Sequence, residues 1–175
     1  SGSGSSYTLT VNTGTGSGSI ILNLANATGI SPGISTTLPF AGATYTIDKT
    51  LPTVVTQNFT LYLLSTGFGT ATAAQVNNGS SDACGIQTLA LSQTSFVCSE
   101  VGANPEVLTV TDVNGNSTTC TTTVTVVDNV APVALCQNVT VQLDNSGNGS
   151  TTAAAVNNGS SDACGIARSE ERRVG

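Results

Sequence analysis

Polar and apolar residues alternate along most of the chain. "LTVTD" (Leu108–Asp112), "CTTTVTVVD" (Cys120–Asp128) and "NVTVQLD" (Asn138–Asp144) are the clearest runs. A period of two places successive side chains on opposite faces, which is the signature of a half-buried strand. Thr and Val supply most of these positions, and β-branched side chains suit a pleated surface. No run carries a convincing helical period. The first 49 residues alternate too, with a Gly-rich turn between Val11 and Ile20 and a last strand in "ATYTID" (Ala43–Asp48). The pattern predicts an all-β protein.

The strands recur. "VNNGSSDACGI" occupies Val76–Ile86 and returns unchanged at Val156–Ile166. Aligning Pro52 with Pro132 extends the match without a gap from Leu51–Ile86 onto Ala131–Ile166, at a constant offset of 80. Such a period, built of short strands and turn signals, reads as a β-sandwich module repeated in tandem. The expected organisation is the C-terminal part of one sandwich over residues 1–49, a complete module over 50–130, and the N-terminal part of a second over 131–167. The exits Asp48-Lys49-Thr50-Leu51-Pro52 and Asp128-Asn129-Val130-Ala131-Pro132 are alike. Proline fixes φ and lacks an N–H, so each exit is a stiff start to the next edge strand. Stiff linkers imply a rod-like array.

Composition narrows the function. Charged residues make up 8% of the chain, against about 25% in ordinary globular proteins. There is no His, and Lys49 is the sole Lys, so general acid–base chemistry has few candidates. The net charge of −6 offers no basic patch for nucleic acid. No apolar run approaches the roughly eighteen residues of a membrane span. The chain begins without Met, and the expectation is an internal segment of a longer protein. "RSEERRVG" (residues 168–175) breaks the style of everything before it and holds three of the four basic residues. It resembles the translation of a sequencing adapter and is set aside from fold reasoning as probable non-native sequence; a genuine charged tail is the alternative.

The "DVNGN" stretch (Asp112–Asn116), then Cys120, then "TVTVVDNVAP" resembles the ending of hyalin-repeat (HYR) modules, and "SSDACGI" is similar to them as well. Residues 1–49 are similar to another bacterial immunoglobulin-like repeat. The resemblance implies tandem immunoglobulin-like sandwiches in long, secreted bacterial cell-surface proteins, used for adhesion or as stalks or fibres.

An extracellular module favours disulfides over a metal or redox role for the cysteines. Cys98 shares strand parity with Phe96, and Cys120 with Val124 and Val126, so both are expected to face the core and to pair. Cys136 and Cys164 form the second expected bridge. Thr56 stands where the second copy has Cys136, which leaves Cys84 as an odd thiol; pairing of Cys84 with Cys98 is the alternative.

In an immunoglobulin-like sandwich the loops holding "NNGSSDACG" and "DVNGN" lie at the pole where the preceding module ends. Asp48, Asp82, Asp112, Asn114 and Asn116 are therefore expected to converge at one junction, with Asp128, Asn129 and Asp162 repeating the set. Calcium takes roughly six to eight oxygen ligands, which such a set provides. The plainer reading is that Asp and Asn are turn residues, and Asn-Gly is a hairpin signal. Sequons at Asn26, Asn58, Asn78, Asn116, Asn138, Asn148 and Asn158 are candidate glycan acceptors, with O-linked sugar on the Thr-rich faces equally plausible.

These features point to a non-catalytic extracellular structural or adhesive protein whose partners are copies of itself or surface glycans. Strand donation between subunits would complete its partial sandwiches, although a truncated gene accounts for them more simply. A carbohydrate-binding module is the rival; Tyr7, Tyr45 and Tyr62 sit in strands rather than loops. An enzyme would have to use Glu100 and Glu106, which lack a partner base.

Overall fold

A computed structural model describes residues 2–3, 6–7, 9–25 and 40–166. Asn26 and the charged tail, residues 168–175, lie outside the described residues. The described chain is all-β apart from two single-turn helices and a 3-10 turn. Its elements are β1 (Gly2–Ser3), β2 (Ser6–Tyr7), β3 (Gly18–Leu24), β4 (Phe40–Ile47), β5 (Phe59–Tyr62), β6 (Phe68–Thr70), α1 (Ala73–Val76), β7 (Ile86–Leu91), β8 (Ser95–Val97), β9 (Gly102–Asp112), β10 (Ser117–Val127) and α2 (Ala153–Val156). Chain contacts group them into two units. One holds Ser1–Val54, Ser80–Leu89 and Thr109–Thr119; the other holds Val55–Gly79, Ala90–Leu108 and Cys120–Gly175.

In the N-terminal region β3 and β4 form an antiparallel pair, with a register irregularity between Ile21 and Asn23. Residues 9–17, where the sequence predicts strand and turn, carry no strand. The larger sheet runs β5-β10-β9-β7, and β6 pairs with β8 in a second one. β5 lies parallel to β10, with Phe59 opposite Val124 and Leu61 opposite Val126. That parallel edge was not legible in the alternation, which reports facing and not direction.

Alternation does set the burial. In β10, Thr122, Val124 and Val126 are buried while their odd-numbered neighbours are not. They pack into a core with Leu61, Leu63, Ala71, Val76, Phe96 and Leu108. Full burial of a Val, Leu or Phe side chain contributes about 1.5–3 kcal/mol each. Gly69 lies so close to this core that a Cβ there would meet Leu61 and Leu63 at 3.2 Å.

The repeat seen in the sequence is also a repeat of structure. Thr53 bridges Ser81 as Val133 bridges Ser161, and Thr56 bridges Asn77 as Cys136 bridges Asn157. The Gln57 N–H donates to Val76 O at 2.9 Å, and the Gln137 N–H to Val156 O at 2.8 Å. Both copies place a helical turn before the shared "VNNG". In the first, Gln75 Oε1 accepts from the Thr72 N–H at 2.8 Å. In the second, where Ala155 replaces that Gln, Thr152 Oγ1 accepts from the Ala155 N–H at 3.2 Å. Each is a way to satisfy an unpaired N–H at a helix start.

The copies differ in strand and in burial: β5 and β6 have no strand counterpart over residues 139–142 and 148–150, although the sequence predicts one at Asn138–Asp144. Leu61 and Leu63 are 7% and 3% exposed, whereas their equivalents Val141 and Leu143 are 37% and 67% exposed. The second copy presents to solvent the apolar side that the first one buries.

Candidate metal centre

Asp48 follows β4 and begins the linker. Its Oδ1 accepts from the Thr50 N–H at 2.9 Å and from Ser17 Oγ–H at 2.9 Å. Ser17 Oγ in turn accepts from the Lys49 N–H at 2.9 Å. The Lys49 ammonium turns away, donating to Thr13 Oγ1 at 3.0 Å and to the Gly14 carbonyl. The Thr50 N–H holds the Asp48 pKa below the ordinary aspartate value, with Ser17, Cys84 and the Thr50 hydroxyl adding to it and burial opposing it. The second oxygen, Oδ2, is buried and has no hydrogen-bond partner among the described residues.

Asp82 sits in the loop after α1. Its Oδ1 accepts from the Cys84 N–H at 2.8 Å, an Asx turn of the kind Asp favours. Gly85, at φ +105°, closes that turn where an L side chain would be strained. The Gly85 carbonyl accepts from the Val113 N–H at 3.1 Å, tying this loop to the β9–β10 turn. A ligand atom from each of Asp48, Asp82 and Cys84 lies within 4.8 Å of the others. The neighbouring Asp48 carboxylate pushes the Cys84 thiol pKa up, with desolvation and the charges of Asp82 and Asp112 adding to it.

Asp112 ends β9 and is 0% exposed. Its carboxylate accepts from the N–H groups of Asn114 at 2.8 Å and Asn116 at 2.9 Å, and from Asn116 Nδ2 at 2.7 Å. Burial pushes its pKa up and the Asp48 charge adds to that, but the Asn116 and Asn114 donors outweigh both and leave it below the ordinary value. Asn116 Nδ2 also donates to the Asp48 carbonyl at 3.2 Å.

Of the five expected ligands, the structure brings Asp48 and Asp82 together and sets Asp112 and Asn116 beside them. Asn116 donates through its amide nitrogen to Asp112 Oδ2 and to the Asp48 carbonyl, and so holds the turn. Asn114 is exposed and contributes its backbone N–H to Asp112. The sequence reading took Cys84 as an odd thiol and did not place it with the junction acids, although it stands two residues from Asp82 in the repeated "DAC".

The second junction repeats the geometry. Asp128, Asp162 and Cys164 bring ligand atoms within 4.8 Å of one another. Asp128 Oδ1 accepts from the Val130 N–H at 3.0 Å, and Asp162 Oδ1 from the Cys164 N–H at 2.8 Å. Asn129 is exposed. Here the sulfur is bonded. The expected bridges Cys98–Cys120 and Cys136–Cys164 are replaced by one, Cys98–Cys164, while Cys84, Cys120 and Cys136 are free. The physical reason is local. Cys98 opens a 3-10 turn, Cys98–Glu100, beyond the end of β8, so strand parity does not govern where its sulfur points. Cys120 does share the parity of the buried Val124 and Val126 and is half-buried, but its neighbour is Thr56, not Cys98.

Two carboxylates are hard oxygen donors suited to calcium, whereas a thiol suits softer metals. Alongside the Thr50 N–H and Ser17, the Cys84 thiol donates to the Asp48 carboxylate and lowers its pKa, while Oδ2 itself makes no geometrically regular hydrogen bond among the described residues.

Asn58, Asn78, Asn138, Asn148 and Asn158 are exposed. Asn116 is half-buried with its amide nitrogen engaged twice. Tyr45 and Tyr62 stand on strands but are more than half exposed. Glu106 is buried and accepts from Ser92 Oγ–H, while Glu100 Oε2 accepts from the Val97 N–H at 2.8 Å; each satisfies a local donor. Among the described residues no helix is long and apolar enough to cross a membrane. No protein-family model, curated protein or solved structure matches the chain.

Proposed function

We propose that the chain is part of an extracellular, non-catalytic array of HYR-like, immunoglobulin-like modules that serves as a stalk or fibre. The observation that carries this reading is the structural repeat: copies offset by 80 residues make the same bridges and turns. The disulfide from Cys98, in the complete copy, to Cys164, in the next, supports an array held in line and an oxidising compartment. Calcium at the Asp48–Asp82 junction would stiffen the linker, and the approach of the two carboxylates to within 4.8 Å supports it.

The exposed Val141 and Leu143 of the second copy, which lie outside any strand, favour assembly with further copies, because uncovered apolar side chains gain by being buried. Electron microscopy of the purified chain at rising concentration, paired with a glycan array, tests the reading. Elongated assemblies without selective sugar binding are expected. Saturable binding to one glycan by a chain that stays monomeric would replace this reading with a carbohydrate-binding module.

A further inference from the structure

Cys120 faces Thr56. Thr56 Oγ1 lies 3.6 Å from Cys120 Sγ, and both groups point at one acceptor, the Thr121 carbonyl, at 3.4 and 3.6 Å. The residue equivalent to Thr56 in the second copy is Cys136. The equivalence is structural as well as sequential, since Thr56 and Cys136 bridge Asn77 and Asn157 in the same way. The repeat therefore carries cysteine at a position whose partner in the complete copy is the Cys120 thiol.

We propose that the Thr56 position and Cys120 are the two halves of a second disulfide site, internal to the module and distinct from the Cys98–Cys164 bridge between copies. In this chain the first copy has lost one half to Thr56, and Cys120 is left as a free thiol. Cys136 is the surviving half in the second copy; it is not the partner of Cys164. A disulfide needs sulfurs about 2.05 Å apart on side chains that face each other. A sulfur at the Thr56 Oγ1 position would start from the 3.6 Å separation. The step is an oxidation: two thiols lose two protons and two electrons to form one S–S bond. A low-molecular-weight disulfide such as oxidised glutathione accepts them and leaves as two thiols.

The inference does not depend on the stalk reading, because it concerns pairing within one copy. The test is the variant T56C, refolded with oxidised glutathione, digested with pepsin without reduction and analysed by mass spectrometry. Expected is a peptide pair joining position 56 to Cys120, alongside an intact Cys98–Cys164 pair. A higher melting temperature than the parent, lost on reduction, should accompany it. Position 56 and Cys120 both remaining free, or position 56 joined to Cys84, overturns the proposal. If T56C fails to form Cys98–Cys164 and so misfolds, the unaltered chain still decides. Cys120, sheltered against Thr56, should then alkylate roughly tenfold more slowly than the exposed Cys136, and equal rates overturn the placement.

Discussion

Asp48 and Asp82 bring carboxylate oxygens within 4.8 Å of each other, and Asp128 and Asp162 repeat the approach at the next junction. Like charges at that range repel unless a cation stands between them. Calcium should therefore raise the melting temperature relative to chelator, by an amount that grows with the logarithm of its concentration above Kd. Asp48→Asn should remove most of the first junction's share. Identical melting curves in calcium and in chelator would end the calcium reading.

Cys84 is exposed and free, yet its thiol is held protonated by Asp48, the largest influence on it. Thiolate is the reactive form, so alkylation at mildly alkaline pH should be slower than for a small model thiol. Asp48→Asn should speed it by a few-fold. Stopped alkylation followed by peptide mass spectrometry gives both rates.

Acid should unfold the protein through identifiable groups. Asp48, Asp112 and Asp144 all have pKa values lowered by the fold. For Asp144 the Asn148 and Ser146 N–H groups lead. The unfolded chain thus takes up protons first, near the ordinary value of about 3.9. The stabilisation is present above that pH and is lost as pH falls through the lower folded values. Asp112→Asn and Asp144→Asn should each lower stability at neutral pH and flatten the acid limb, as read by denaturant melts at several pH values.

Leu63 and Leu143 occupy the same repeat position in opposite environments. Leu63→Ala should cost about 2–5 kcal/mol, as for other buried leucines. Leu143→Ala should stay within about 0.5 kcal/mol in the isolated chain. A large loss at Leu143 only in assembled material would show that assembly buries it.

The sequence reading reached what depends on local pattern. Alternation found β9 and β10 and the side of β10 that is buried. The offset of 80 found the structural repeat, and Asx turns at Asp82 and Asp112 brought their loops to one place. It missed what depends on partners distant in the chain. Parity put Cys120 on the inner face but said nothing of which residue lay opposite, and neither the parallel β5 edge nor the bridge residue Thr56 ahead of it was visible. Residue type alone also did not say that the Asn116 amide nitrogen would tie Asp112 to the Asp48 carbonyl. The helical turn before "VNNG" was too short to show a period, although Thr72 and Gln75 have the spacing of a helix-start pair.

The central claim is that consecutive copies of one module are covalently joined. Peptide mapping of the unreduced chain tests it most directly. The account predicts one linked pair, Cys98–Cys164, with Cys84, Cys120 and Cys136 recovered as alkylated thiols. A Cys98–Cys120 pair, a Cys84–Cys98 pair or a Cys136–Cys164 pair would contradict it.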